Sequence, residues 1–131
     1  MAVQPLTQQP YSDRIRWLTH EGKQVLLVDF TDLSAADVKE MATLVPSVVT
    51  SQPPHSVRIL ADFTGATVDR DAAAAIKEAA TRDRPHVKRA AWVGTESIPK
   101  ALYAGIVQFS VRALPTFPTR EDGLRHLVTG D

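Results

Sequence analysis

Hydrophobic and polar residues follow two different periods along this chain, one suited to strands and one to helices. Ile15 and Trp17 alternate with Arg14 and Arg16, the period of a half-buried strand. A polar break follows at His20-Glu21-Gly22-Lys23. The next run, Val25-Leu26-Leu27-Val28-Asp29-Phe30, is apolar almost throughout, as in a strand covered on both faces. Two strands around a short glycine-containing break predict a hairpin. Ser34 and Asp37 then fit a capping box, with Asp37 in place of the usual Glu or Gln. Behind them Val38, Met41, Val45, Val48 and Val49 keep a helical period. Pro46 falls inside that helix, where it removes a backbone donor and predicts a kink or local loosening, read first as harmless in a tightly packed helix. Pro53-Pro54 ends the segment.

Val57 to Phe63 predicts a strand, Thr64 to Val68 a turn, and Asp69 to Thr81 an alanine-rich helix. Arg84-Pro85 breaks that helix, and Val87 to Gly94 reads as the next strand. Ser97 opens a further helix with Pro99 in its first turn, where the missing N–H costs nothing. Leu102, Tyr103, Ile106, Val107 and Phe109 form its apolar side. Ala113 to Phe117 reads as a short strand, and Pro115 within it argues for an edge position. Thr119 and Asp122 repeat the capping-box pattern before a final helix striped by Leu124, Leu127 and Val128. The order β-β-α-β-α-β-α-β-α predicts an α/β fold: one mixed, mostly parallel sheet with helices packed on it. No internal repeat interrupts that order. The polar stretch 1–10 reads as a flexible arm, which leaves residues 11–131 as a single domain.

Composition agrees with that reading. At 131 residues and 44% hydrophobic, the chain suits one globular domain. Such a domain buries roughly two thirds of its unfolded surface, so it needs no metal or disulfide to fold. Lys plus Arg and Asp plus Glu are 15 each, which argues against a nucleic-acid partner. The absence of cysteine removes thiol catalysis, thiolate zinc sites and iron–sulfur clusters. Residues 1–10 lack the apolar core of a signal peptide, and no apolar run reaches the roughly 20 residues of a membrane span. The expected location is the cytoplasm.

The run Asp62-Phe63-Thr64-Gly65-Ala66-Thr67-Val68-Asp69 resembles the strand–turn–helix core of STAS domains. The segment Arg84 to Gly94 is similar to the SpoIIAA-like, STAS/SEC14-type small bacterial proteins, and the element order fits that family after Pro10. The resemblance implies a regulatory module that recognises a protein partner. Its SEC14-type side implies a carrier or sensor of a lipid-like apolar ligand. In the anti-sigma-factor antagonists of this family, a phosphorylatable Ser follows the Asp that opens the second helix. Here Asp69 is followed by Arg70 and Asp71, so the phospho-switch does not carry over. Asp71 is an ordinary first-turn acid that complements the helix dipole.

Parallel sheets place ligands beyond the carboxyl ends of their strands. Three strand ends carry polar residues: Asp29 and Thr31; Asp62, Thr64 and Gly65; and Gly94, Thr95, Glu96 and Ser97. With Asp69, Arg70 and Asp71 they form the expected ligand or partner edge. The competing explanation is that they are turn and capping residues, which holds best for Ser97 and Asp69. Asp29 with Asp62 could form an acid/base pair only in a pocket that drives their pKa values apart. His20, His55, His86 and His126 are scattered, so no metal site is expected. Gly-x-Ser-x-Gly, Gly-x-Gly-x-x-Gly and phosphate-loop motifs are all missing, so neither a catalytic residue nor a cofactor is expected. Trp17, Phe63 and Trp92 are expected in the core. Tyr103, Ile106 and Val107 either bury their helix fully or expose an apolar patch for a second copy of the chain or a lipid.

Overall fold

The computed structural model describes residues 11, 13–107 and 115–129. The expected arm at 1–10 and Phe109 lie outside them. Five strands form one sheet in the order β1-β2-β3-β4-β5. They are β1 (Ile15–His20), β2 (Lys23–Asp29), β3 (Val57–Asp62), β4 (Val87–Val93) and β5 (Thr116–Phe117). The first pair is antiparallel and the remaining pairs are parallel. The helices are α1 (Ala35–Val49), α2 (Arg70–Asp83), α3 (Lys100–Val107) and α4 (Arg120–Val128). The predicted element order and mixed sheet are therefore present.

Local chemistry explains the junctions. Glu21 and Gly22 both have positive φ, 51° and 79°, so they make the primed two-residue turn that matches strand twist. Ser34, Asp69 and Thr119 cap α1, α2 and α4 by accepting from the N–H of Asp37, Ala72 and Asp122. The Asp37 carboxylate takes the Tyr11 hydroxyl at 3.0 Å, which ties the start of the domain to α1. α1 runs through Pro46 without a break.

β2 and β3 are apolar on both sides because both faces of the sheet are covered. Leu26, Val28, Ile59, Ala61 and Trp92 pack beneath α1 and α2. Val25, Leu27, Leu60, Ala91 and Val93 face the other way, against Leu127 of α4. Gly123 lets α4 lie close, since a Cβ there would press on Leu60.

Three expectations change. Trp17 is 39% exposed, because it sits on the edge strand β1. Of the two readings left open for α3, burial holds for Ile106, which lies in the core, while Tyr103 is half-buried and packs edge-on against Trp92. Val107 is half-buried. Ala113 and Leu114 of the expected last strand lie outside the described residues; among those described, β5 is Thr116–Phe117 and Pro115 precedes it, its carbonyl accepting the Trp92 N–H at 3.0 Å. Ser97 ends a 3-10 turn ahead of α3 rather than capping it. Among the described residues, no helix is long and apolar enough to cross a membrane.

Gly94 has φ of 71°, and a Cβ there would collide with the Thr64 backbone. Gly22 has φ of 79° and open space around it. Gly94→Ala should therefore cost at least about 2 kcal/mol, combining left-handed strain with overpacking, and Gly22→Ala only about 1 kcal/mol. Urea denaturation of the two variants measures the difference; equal losses would show that the close approach at Thr64 is unimportant.

Candidate functional site

The strand-end residues do converge. Asp29 and Asp62 are register partners across the parallel pair β2–β3. Each is followed two residues later by a threonine that wraps back onto it. The Thr31 N–H and hydroxyl donate to Asp29 Oδ1 at 3.0 and 2.6 Å. The Thr64 N–H and hydroxyl donate to Asp62 Oδ1 at 3.0 and 2.7 Å. The chain thus repeats Asp-Phe-Thr at 29–31 and 62–64. That short repeat was visible in the sequence and passed over.

The repeat sorts its side chains by face. The aspartates point toward α4, while Phe30 and Phe63 stack on the opposite face, with centroids 4.8 Å apart and planes 13° apart. Phe63 in turn meets Trp92 at 4.8 Å. Arg120, the first residue of α4, bridges the two carboxylates. Its Nε donates to Asp62 Oδ2 at 2.6 Å and its Nη2 lies 3.1 Å from Asp29 Oδ1. Arg14 Nη1 stands 3.7 Å from the same oxygen. Burial pushes the Asp29 carboxyl up, but the Thr31 bonds and the Arg120 guanidinium outweigh it and hold the group below its ordinary value. Nothing in the sequence tied Arg120 to these aspartates, because the link spans 58 residues.

The other edge residues also serve one another. The Asp32 N–H donates to the Thr64 carbonyl at 3.0 Å, and the Gly65 N–H to Ser97 Oγ at 3.0 Å. Gly94 opens the 3-10 turn Thr95–Ser97. Asp69 caps α2, and Arg70 and Asp71 are exposed beside it. The edge is a network of turns in which Arg120 bridges the carboxylates of Asp29 and Asp62.

A different place has the shape of a binding site. A cavity of about 390 Å³ opens between the sheet and the helices α1 and α2 and reaches around the β4 edge to Pro115 and to His126 of α4. Phe30, Ile59, Phe63, Ile76 and Trp92 give it apolar walls. Ala42 and Val45, on the turn of α1 that precedes Pro46, complete one side. Alanines of α2 supply the room: Ala79 and Ala80 line the cavity where larger side chains would fill it. His55, Arg84, Lys88 and Arg89 bring positive charge or polarity to the wall, and the exposed His55 and Arg84 mark where it meets solvent. Burial and the Arg89 guanidinium hold the His126 imidazole, also in the wall, below its ordinary pKa.

Asp83 is the polar exception. It is the last residue of α2, lines the cavity, and is 5% exposed. Among the described residues, its Oδ1 is the only buried side-chain nitrogen or oxygen without a hydrogen-bond partner. Burial pushes its carboxyl up to about 7, and Arg82 and His86 pull it down less. Sequence reading missed Asp83 because an acid at a helix end looks like surface. Among the described residues, no group of three or more His, Asp or Glu could hold a metal ion. No protein-family model matches the chain, and no curated protein or solved structure matches it either.

Two outcomes follow. Arg120→Met should lower stability by about 2–3 kcal/mol, less than a fully buried orphan charge because Arg120 is partly exposed. Adding Asp29→Asn should recover part of that loss, and a double-mutant cycle by chemical denaturation reads the coupling. The second outcome concerns pH. Because the folded pKa of Asp83 is raised from 3.8 to about 7, the folded state holds its proton more tightly than the unfolded chain. Its contribution to stability is full below the unfolded pKa and is lost as pH rises toward 7. Denaturation midpoints should therefore fall between about pH 4 and pH 7, and Asp83→Asn should flatten that slope. An unchanged slope would remove Asp83 as its source.

Proposed function

We propose that this chain is a carrier or sensor of a small apolar ligand, held between α1, α2 and the sheet, and that it carries out no covalent chemistry. The observation behind this reading is the apolar cavity of about 390 Å³. An engineered apolar cavity of about 150 Å³ stays dry and takes up benzene. Space on this scale lowers the stability of an empty domain, because its lining atoms lose packing partners. A ligand of matching shape offsets that loss.

Membership of the STAS/SpoIIAA-like group is part of the proposal. It is supported by the element order and by the run Asp62 to Asp69 at the junction of β3 and α2. A second reading, recognition of a protein partner at the strand-end edge, draws on the exposure of Thr64, Gly65, Arg70 and Asp71. It ranks lower because the polar groups at that edge bond mainly to each other.

Naphthalene is a suitable first probe. The chain has two tryptophans, so Trp17→Phe leaves Trp92, in the cavity wall, as the sole tryptophan reporter. Titration should quench Trp92 saturably with a Kd on the order of 10–100 µM, as expected for a ligand of this atom count. Ala80→Phe, which fills the cavity from α2, should weaken binding about tenfold or more while leaving the circular dichroism spectrum unchanged. Absence of saturable binding, together with bare protein in native mass spectrometry, would overturn the carrier reading and leave partner recognition.

A further inference from the structure

The cavity wall carries one feature that folding alone does not explain. Asp83 is buried, its Oδ1 has no partner, and it terminates α2, where the helix carbonyls already concentrate negative charge. A carboxyl group in that position works against stability on each count. A neutral side chain of similar size would fit the same space. Polar groups held against the folding optimum in a cavity wall are the mark of a ligand contact.

The surroundings limit what that contact is. Arg84, Lys88 and Arg89 also line the cavity, and they oppose entry of a cationic ligand. Arg89 is anchored, its Nη1 donating to the His126 carbonyl at 3.1 Å. Asp83 itself opposes an anion. A neutral molecule avoids both penalties. To satisfy Oδ1 it needs a hydrogen-bond donor, and to fill the rest of the cavity it needs a hydrocarbon body.

We propose that the cavity takes a neutral apolar alcohol or phenol, whose hydroxyl donates to Oδ1 of Asp83 while its hydrocarbon body lies against Ile76, Phe63 and Trp92. This rests on the carrier reading above. Asp83 then supplies selectivity for the hydroxyl, and the aromatic and aliphatic walls supply most of the affinity. Burial raises the Asp83 carboxyl, and a ligand hydroxyl that favours the ionised form should lower that pKa on binding.

The test compares four probes on the full chain at about pH 8, where a phenol keeps its proton. They are naphthalene, 2-naphthol, 2-naphthylamine and 2-naphthoate, each titrated against wild type, Asp83→Leu and Asp83→Asn. In wild type, 2-naphthol should bind about 10- to 100-fold tighter than naphthalene, the range for a hydrogen bond to a charged acceptor. Asp83→Leu should keep naphthalene binding and erase the preference. Asp83→Asn, which retains a carbonyl oxygen, should keep part of it. Both variants should melt no lower than wild type, since each removes a buried orphan carboxyl. If the naphthol-to-naphthalene ratio is the same in wild type and Asp83→Leu, the hydroxyl contact is wrong while the carrier reading stands. Tightest binding of naphthoate would instead make the basic wall an anion site, and tightest binding of naphthylamine would make Asp83 a cation site. If no probe binds, both readings fall together.

Discussion

Parallel pairing of β2 with β3 sets Asp29 and Asp62 side by side, and two carboxylates at that spacing repel each other. The rest of the fold is arranged around that constraint. Each aspartate is first wrapped by its own threonine, and Arg120 then bridges the two. Arg120 stands at the start of α4, where a cation opposes the helix dipole. The two carboxylates supply the compensation that makes this position favourable. One guanidinium therefore neutralises the strand ends and pins the N-terminus of α4 to the sheet.

The far end of α4 is held by the opposite logic. Arg58 Nε donates to the Leu127 carbonyl at 3.0 Å, and Arg89 Nη1 donates to the His126 carbonyl at 3.1 Å. Arg58 and Arg89 are themselves register partners, across β3 and β4. Acids on the sheet meet the arginine that starts the helix, and arginines on the sheet meet the carbonyls that end it. Between the two clamps, Gly123 brings the helix close and Leu127 seals the small apolar cluster. With only nine residues of helix on this face, about two and a half turns, polar clamping does what a larger apolar stripe does elsewhere.

The element order, the hairpin turn and the capping residues were legible in the sequence, because each depends on neighbours a few positions apart. Ser34, Asp69 and Thr119 cap as their spacing implies. The convergence of Asp29, Asp62 and Thr64 was also legible, since it follows from parallel register. Their pairing was not: Arg120, which bridges the two carboxylates, lies on the last helix. Ser97 failed for the same reason, being spent on the Gly65 N–H 32 residues away rather than on its own helix. Trp17 misled because alternation gives the face of a residue but not how much of that face is covered near the sheet edge. Asp83 could not be found at all, because burial at the end of α2 depends on the elements that pack around it.

The two faces of the sheet thus differ in how they are held: one by charge clamps, the other by a larger apolar core that contains a cavity. The α4 face is small, charge-clamped and closely packed, and its polar groups are matched to each other. The α1–α2 face buries more apolar surface, which is what allows it to tolerate a cavity and one unsatisfied carboxyl oxygen. Alanines in α2 create the space, and the Phe30, Phe63 and Trp92 row gives it a rigid floor. The same Asp-Phe-Thr repeat serves both sides: its aspartates carry the clamp and its phenylalanines carry the cavity. A change that loosens Arg120 would therefore be felt on the opposite face, because the backbone that positions Asp29 and Asp62 also positions Phe30 and Phe63. The cavity wall and the α4 clamp thus share two strand ends, Asp29-Phe30 and Asp62-Phe63.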